Sequence, residues 1–227
     1  MDKKKVIAID LGASSGRVIS VAMEDGKLEF EEVHRFANEG VHAGGRFYTD
    51  ILYIYREIIA GLKEAVHRSG SIESVAIDSW GVDFALLDAE GELMCNPYHY
   101  RDEQAVGMIE EADKIFGKRG LFCLTGVQDM WYNSVYQIQG LQRRKPDFLE
   151  RAECFLMIPD ILGYFLTGNR SIEYSSASTT QMYDLQQKTW SENICRKLGL
   201  DLKILPEVVM TGAFKGNFSP KIKRMIG

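Results

Sequence analysis

Residues 6–23 constrain the fold most, because they combine a short apolar strand, a small-residue turn and a second strand. The first run ends on Asp10, and a carboxylate at the end of a core strand is unusual unless something binds there. The turn that follows contains Gly12, Ser14, Ser15, Gly16 and Arg17. Glycines let backbone amides approach an anion closely, while hydroxyls and a guanidinium add donors and positive charge. The segment therefore predicts a phosphate-binding hairpin.

This turn differs from the Walker phosphate loop. No Gly-Lys-Ser or Gly-Lys-Thr follows it, and the chain continues as a strand over residues 18–23 instead of a helix. Turns rich in glycine and serine are common, so a tight β-hairpin without a ligand is the alternative interpretation of these residues alone.

The composition favours a soluble globular protein with small-molecule partners. The 227 residues are 45% hydrophobic and 26% charged, which suffices for one large domain or slightly more. A net charge of −5 argues against a nucleic-acid surface, which normally carries a basic patch. No apolar stretch approaches the length of a membrane helix. The charged residues 1–5 precede only a short apolar run, so no signal peptide is predicted.

Cysteine and histidine are too dispersed to predict a metal or redox site. Cys95, Cys123, Cys154 and Cys195 form no close pairs, and the four histidines show no metal-ligand spacing. Reduced thiols in the cytoplasm are the expected state.

The first half of the chain predicts a ribonuclease-H-like α/β core. Alternation over residues 27–36 adds a third strand to the opening hairpin, giving three antiparallel strands. Asp50 is the expected cap of a helix that ends near Gly70 and buries one apolar face. Residues 74–78 then read as a second buried strand that ends on a carboxylate. Three strands, a helix and a strand predict a mixed sheet flanked by helices.

The second half is mostly helical in pattern. Residues 84–94 predict a hairpin, and helices are predicted over residues 104–116, 133–144, 158–166 and 191–198. Residues 219–227 are able to begin one more helix.

Residues 78–84 form a second cluster with chemical potential. Trp80 beside Gly81 offers a flat apolar wall next to open backbone, which suits the mixed faces of a sugar, and Asp83 is placed to bind hydroxyls. The alternative is that Trp80 fills the core and Asp83 is a surface turn residue.

Two further clusters are dense in polar side chains. Residues 96–102 crowd aromatic and charged groups after the predicted hairpin, although Arg101 and Asp102 are also able simply to pair with each other. Residues 173–181 are rich in hydroxyl groups, and an ordinary capped helix start explains them equally well.

Five blocks taken together resemble the FGGY family of sugar kinases over roughly residues 6–212. They are residues 10–17, 80–84, 97–102, 158–160 and 177–181, in that order along the chain. The resemblance implies an actin- or hexokinase-type ATPase domain, the amino-terminal half of a two-domain kinase. Residues 1–227 would form the sugar-binding domain and residues 213–227 would begin the connection to the second domain, which this chain lacks.

The resemblance also implies ligands and roles. ATP and Mg²⁺ are the expected cofactors, and a ketose is the expected substrate. The residues placed against the nucleotide phosphates are Ala13, Ser14, Ser15, Gly16 and Arg17. Asp10 would hold Mg²⁺ through water. Gly81 would contact the ketose through its backbone, with Trp80, Asp83, Arg101 and Asp102 as further candidates for the sugar pocket.

Several positions depart from the family pattern and loosen the substrate assignment. Thr49 stands where a tryptophan is common, Ser79 and Ala85 replace threonine and glycine, and residues 104–105 replace an Arg-Thr pair.

No catalytic residue is predicted within this chain. The family's general base is an aspartate of the second domain, and nothing after Gly212 matches its segment, so the base is expected beyond Gly227. A base must accept the proton of the sugar hydroxyl, so this chain is expected to bind sugar without turnover. An exposed interdomain face would favour self-association.

Other functions remain as alternatives. They are another ketose or polyol kinase of the family, or a free-standing sugar-binding module. A chaperone or actin-like ATPase would share the hairpin but gives no reason for the clusters at residues 80–84 and 98–102.

Overall fold

A computed structural model describes residues 5–227, and its first half builds one mixed sheet. The elements in chain order are β1 Lys5–Leu11, β2 Ser15–Glu24, β3 Lys27–Ala37, β4 Val41–Ala43, β5 Arg46–Tyr48, α1 Ile51–Ser69 and β6 Ser74–Ser79. The sheet order is β3-β2-β1-β6, in which β6 runs parallel to β1 and the other pairs are antiparallel. Residues 1–4, which begin the segment where no signal peptide is predicted, lie outside the described residues.

Helix α1 begins and ends where its sequence signals predict. The Asp50 carboxylate accepts a hydrogen bond from the Tyr53 backbone N–H at 3.1 Å, which satisfies one of the open donors of the first turn. Gly70 ends the helix with a φ of 72°, a conformation that glycine adopts without steric cost.

The core between α1 and the sheet follows the two periodicities of the sequence. Alternate residues of β1 are buried on one sheet face, and α1 covers that face with residues at helical spacing. The buried residues of this layer are Ile7, Ile9, Leu11, Val18, Ile51, Ile54, Ile58, Leu62 and Ala65.

The prediction that β6 is a buried strand is wrong. Its residues alternate between exposed and half-buried, and within residues 5–227 it pairs only with β1. β6 is therefore an edge strand, and its half-buried residues Val75 and Ile77 lie on the one face that packs against the core.

The remaining elements pack beside this sheet. They are β7 Phe84–Leu87, α2 Met108–Phe116, α3 Gly120–Thr125, α4 Ser134–Arg144, α5 Pro146–Glu150, β8 Cys154–Met157, α6 Ile158–Thr167, β9 Ile172–Glu173, α7 Tyr174–Thr179, β10 Tyr183–Asp184, β11 Thr189–Trp190, α8 Glu192–Leu198, β12 Val208–Val209 and α9 Pro220–Ile226. Two 3-10 helices span Glu103–Ala105 and Leu202–Ile204. No helix among the described residues is both long and apolar enough to cross a membrane.

The helices predicted over residues 133–144, 158–166 and 191–198 are confirmed as α4, α6 and α8. The helix predicted over residues 104–116 is instead interrupted. Gly107 has a φ of 80° and separates the first 3-10 helix from α2, because a left-handed residue cannot continue a right-handed helix.

The helix predicted at residues 219–227 is confirmed as α9. Ser219 caps its start, because the Ser219 hydroxyl accepts from the Ile222 N–H at 3.3 Å. Gly227 follows its last residue, and the Gly227 N–H donates to the Lys223 carbonyl at 3.2 Å. Ile222 is buried, so α9 belongs to the packed part of the fold.

The hairpin predicted over residues 84–94 forms only in part. Strand β7 pairs antiparallel with β8, and the returning segment adds a single bridge between Leu87 and Leu93. All four residues of β7 are buried, so its apolar character reflects this long-range partner.

Helix α4 approaches the first 3-10 helix closely at Gly140. A β-carbon at Gly140 would lie 2.7 Å from the carbonyl carbon of Gln104 and 3.3 Å from the backbone nitrogen of Ala105. Both neighbours are backbone atoms, which cannot rotate away as a side chain does.

We predict that Gly140→Ala lowers the free energy of unfolding by about 2 kcal/mol, because the added methyl group forces two helices apart. Gly163→Ala in α6 is the matched control, since no atom lies within 4 Å of its added β-carbon. That substitution should stabilise the chain by about 0.5–1 kcal/mol. Urea denaturation of both variants checks the pair, and a Gly140→Ala variant as stable as the unmodified chain would contradict the packing argument.

Candidate functional site

Two loops leave neighbouring parallel strands at the same edge of the sheet. In the register of β1 and β6, Asp10 lies beside Asp78 and Leu11 beside Ser79. The turn at residues 12–14 follows β1 directly, and residues 80–83 follow β6. Neighbouring strands are about 4.8 Å apart. The first and second sequence clusters therefore lie side by side.

The first loop is a short turn that exposes Ala13 and Ser14. The Gly12 N–H donates to the Ser15 carbonyl at 2.9 Å. Asn38 closes the turn from the end of β3, because its Nδ2 donates to the Gly12 carbonyl at 2.7 Å and its backbone N–H to the Ser14 carbonyl at 3.0 Å. Sequence reasoning missed Asn38, whose only local signal is its position directly after a strand.

Gly16 has a packing reason to lack a side chain. A β-carbon there would overlap the ring of Phe36 on the neighbouring strand. The sequence explains Gly16 by close approach to an anion, whereas in the structure its missing side chain leaves room for the Phe36 ring against β2.

Asp10, Arg17 and Asp78 form one row across the exposed face of the sheet. Arg17 lies opposite Asp10 on β2 and forms an ion pair with it, and Asp78 lies on the other side of Asp10. Mg²⁺ in phosphoryl-transfer sites is held by one or two carboxylates with substrate phosphates and water. Among residues 5–227 no three acidic, histidine or cysteine side chains are close enough to hold a metal by themselves. A single carboxylate donor such as Asp10 fits Mg²⁺ of this kind.

The second loop is held in a strained conformation at Val82. Its φ is 71°, and the Asp83 N–H donates to the Gly81 carbonyl at 3.0 Å, which closes a tight γ-turn. A β-branched residue rarely adopts a positive φ. The Val82 carbonyl accepts from Ser134 Oγ at 2.6 Å and from Gln137 Nε2 at 3.1 Å. Surrounding side chains therefore maintain the strain.

Helix α7 supports the same turn from its other side. The Val82 N–H donates to Thr179 Oγ1 at 3.2 Å, and a β-carbon at Gly81 would lie 2.7–2.9 Å from Thr179 side-chain atoms. The hydroxyl-rich residues 173–181 thus contact the Trp80–Gly81 cluster, which their separation along the chain does not reveal.

Asp83 is fully buried, with a relative exposure of 0%, so the interpretation as a surface turn residue is wrong. Its carboxyl group accepts hydrogen bonds from Trp80 Nε1 at 3.0 Å, Gln137 Nε2 at 3.3 Å and Thr49 Oγ1 at 3.3 Å. Burial raises the pKa of this carboxyl to about 7 against the lowering effect of the donors. Direct contact between Asp83 and a sugar stays a prediction, and its enclosure argues against that role.

Asp102 is bound to the β5 hairpin, in which β4 and β5 pair antiparallel, instead of to Arg101. With 5% exposure, it accepts from the Phe47 N–H at 2.8 Å and from Arg46 Nη1 at 3.2 Å. Arg101 is exposed and lies 5.2 Å from the centre of the Tyr100 ring. The interpretation of Arg101 and Asp102 as a simple mutual pair is therefore wrong.

Aromatic rings line up beside these residues. Ring centres are 4.2 Å apart for His42 and Phe47, 4.3 Å for Phe47 and His99, 4.3 Å for His99 and Tyr100, and 5.8 Å for Tyr100 and Tyr132. Burial, with a smaller effect of Arg101, lowers the pKa of His99 to about 4. His99 is therefore uncharged at neutral pH.

A second buried network fixes the segment that carries Tyr132. Gln181 Nε2 donates to Asp129 Oδ1 at 2.6 Å, Asn133 Nδ2 donates to Gln181 Oε1 at 2.8 Å, and the Tyr136 hydroxyl donates to Asp129 Oδ1 at 2.8 Å. Gln181 has a φ of 61°, so the end of the hydroxyl-rich run is also a constrained position.

The fold is ribonuclease-H-like and is shared with solved carbohydrate and polyol kinases. A gluconate kinase from Lactobacillus acidophilus superposes with a TM-score of 0.89 at 17% identity, covering 99% of this chain and 46% of that one. The glycerol kinase of Plasmodium falciparum, solved with ADP, gives a TM-score of 0.83 at 17% identity, covering 97% and 46%.

The chain belongs to the FGGY family of carbohydrate kinases and matches its N-terminal domain over residues 5–227. It is 39% identical to a protein named rhamnulokinase from Oceanobacillus iheyensis over 221 residues, which cover 97% of this chain and 47% of that protein. A rhamnulokinase from Bacteroides thetaiotaomicron is 38% identical over 225 residues, covering 99% and 46%. The chain spans about half the length of the curated relatives it matches.

The general base expected beyond Gly227 lies outside the residues that the structure describes. Its assignment to a second domain therefore stays a prediction. Within residues 5–227, the carboxyl groups of the two loops have other surroundings: Asp10 is paired with Arg17, and Asp83 is enclosed by its donors.

The buried carboxyl of Asp83 predicts a pH dependence of stability. The unfolded carboxyl ionises near its ordinary pKa of 3.8, whereas the folded one keeps its proton to about 7, so its contribution to stability is lost as pH rises between these values. Asp83→Asn has no such loss. We expect its free energy of unfolding, measured against that of the unmodified chain, to rise from pH 4 to pH 7.

Urea denaturation at several pH values measures this difference. Asp201→Asn removes the same charge at an exposed position and is the control for net charge. A difference between Asp83→Asn and the unmodified chain that is constant with pH would contradict the prediction.

Proposed function

We propose that this chain is the ketose-binding and phosphate-binding half of a kinase that transfers the γ-phosphoryl group of ATP to the 1-hydroxyl of L-rhamnulose. The observation that supports it most is the adjacency of the two loops that follow β1 and β6. A phosphate donor on one loop and a sugar on the other would meet within the reach of a direct transfer. The ketose is chosen because relatives at 34–39% identity are named rhamnulokinases.

The proposed reaction needs few groups from the protein. The sugar hydroxyl oxygen forms a bond to the γ-phosphorus, the bond from that phosphorus to the bridging oxygen of ADP breaks, and the hydroxyl proton passes to a base. Positioning and neutralisation of charge supply most of the catalysis in such transfers. The resemblance assigns the base to an aspartate of the second domain, beyond Gly227, so the 227-residue chain is proposed to bind its ligands without turnover.

The proposed phosphate site uses the turn closed by Asn38. Residues 13–17 would lie against the nucleotide phosphates, where exposed backbone at Ala13 and Ser14 suits an anion. Mg²⁺ held at Asp10 would neutralise phosphate charge. Arg17 would then be free to leave that carboxylate and contact a phosphate oxygen.

The proposed sugar site uses the turn held by Thr179. Gly81 would contact the ketose through its backbone. Its close contact with Thr179 leaves no room for a side chain, so only backbone atoms are present at this position. The half-buried Trp80 indole would pack on an apolar sugar face. Arg101 is the exposed charged candidate for a hydroxyl contact, and Asp102 shapes the hairpin behind it.

Another ketose or polyol kinase of the family is the second candidate, because Thr49 and Gln104 depart from the family pattern. Both residues are buried beside the proposed sugar site, Thr49 against Asp83 and Gln104 against Arg144. A full-length protein that phosphorylates another ketose with a higher kcat/KM than L-rhamnulose would establish this alternative. A free-standing sugar-binding module would bind the ketose and have no kinase partner domain.

We predict that the 227-residue chain binds L-rhamnulose and that Gly81→Ala weakens this binding about tenfold, because the methyl group displaces the turn from Thr179. Isothermal titration calorimetry measures both affinities. Gly163→Ala is the matched control, since it adds the same methyl group in open space.

The same protein tests the absence of turnover. ADP release that depends on L-rhamnulose should not exceed that of a blank with heat-denatured chain. Release above the blank would contradict the assignment of the base to the second domain, and failure to bind any ketose would contradict the proposed function.

A further inference from the structure

Asp83 is a buried carboxyl group whose position the proposed reaction does not explain. Three side chains from three parts of the fold converge on it: Trp80 from its own turn, Gln137 from α4 and Thr49 from the residue pair before α1. A carboxyl group with 0% exposure does not reach a ligand, so its hydrogen bonds act on the protein.

The first of these bonds orients the Trp80 indole. Trp80 is half-buried, and its Nε1–H donates to Asp83 Oδ2 at 3.0 Å. An indole ring has one hydrogen-bond donor, so this bond selects one ring orientation among those that a half-open position allows. Loss of the acceptor would leave the ring face free to turn away from the ligand side.

The second bond couples Asp83 to the strained turn. Gln137 Nε2 lies 3.3 Å from Asp83 Oδ1, 3.1 Å from the Val82 carbonyl and 2.8 Å from the Tyr132 carbonyl. One amide group therefore links the carboxyl, the γ-turn and the aromatic segment. A γ-turn with a valine at positive φ relaxes unless such contacts hold it.

The third bond matches a departure from the family pattern. Thr49, 2% exposed, stands where a tryptophan is common, and its hydroxyl donates to Asp83 Oδ2 at 3.3 Å. A tryptophan donor at this position would be larger and differently placed. The small hydroxyl residue leaves room for the buried carboxyl and satisfies one of its acceptor positions.

We propose that Asp83 is the positioning residue of the sugar site: it holds the Trp80 indole and the Gly81–Val82 turn in the conformation that receives the ketose. Asp83 acts through these neighbours and does not touch the substrate. The inference rests on the proposed function only in naming the ketose as the ligand. The hydrogen-bond network itself is a property of the chain without ligand.

Two measurements on the 227-residue chain test the proposal. The first records the indole N–H resonances of the three tryptophans by nuclear magnetic resonance, with Trp80 assigned through Trp80→Phe. The second is the affinity for L-rhamnulose by calorimetry. The variants are Asp83→Val, which removes every acceptor, and Asp83→Asn, which keeps one oxygen. Asp160→Asn is the control: it changes another buried carboxyl, 2% exposed, whose partners are Lys215 and the Glu173 N–H.

We expect Asp83→Val to shift the Trp80 indole resonance and to weaken L-rhamnulose binding by about tenfold. Asp83→Asn should show a smaller resonance shift and a smaller loss of affinity than Asp83→Val, because its oxygen still accepts from the indole. Thr49→Val should give a smaller change of the same sign, since it removes one of the three side-chain donors. Asp160→Asn should change neither signal.

Unchanged Trp80 resonance and affinity in folded Asp83→Asn and Thr49→Val would overturn the proposal, and so would equal changes in Asp160→Asn. If Asp83→Val does not fold, these two milder variants decide the question. If the unmodified chain does not bind L-rhamnulose, the proposed function fails, and the Trp80 resonance alone then supports or overturns the positioning role.

Discussion

The parallel pairing of β1 with β6 is the constraint on which the site depends. It aligns Asp10 with Asp78 and starts two loops at one sheet edge, although the paired residues are 68 positions apart in the chain. Antiparallel pairing of β2 then brings Arg17 back to Asp10. A slip of one residue would turn these charged side chains to the face covered by α1. The apolar face of the sheet therefore sets the register, and the register places the polar loops.

Buried polar networks then hold each loop in a conformation that local preference does not favour. Val82 and Gln181 both have positive φ, near 71° and 61°. Ser134 and Gln137 donate hydrogen bonds to the carbonyl of Val82, and Thr179 accepts one from its N–H. The side chain of Gln181 is hydrogen-bonded to Asn133 and Asp129. Unpaired buried polar groups are costly, so each network keeps one arrangement. Preformed loops of this kind suit a site in which positioning is the main requirement.

Local patterns predicted the elements whose signals lie within a few residues. Examples are the opening strands, the Asp50 cap and the helices α1, α4, α6 and α8. Membership of the family was also predictable, because each of its sequence blocks consists of a few consecutive residues. Predictions of elements that depend on distant partners were wrong or incomplete. β6 has the composition of a core strand but lies at an edge, and β7 pairs with β8, which begins 67 residues after the last residue of β7. Pairing between strands this far apart in the chain has no local periodic pattern from which it could be predicted.

The sequence by itself determined which chemical groups the chain carries and in what order: a carboxylate and small-residue turn, a Trp-Gly turn, an aromatic-charged cluster and a hydroxyl-rich run. Tertiary structure alone decided which of these are exposed and which are buried and support the others. Asp83 and Asp102 are buried behind Trp80 and the β5 hairpin, while Asn38, Gln137 and Thr179 hold the loops from afar. The physical reason is that hydrogen-bonding side chains of one type are chemically alike in sequence, and only burial and distance distinguish a ligand contact from a support.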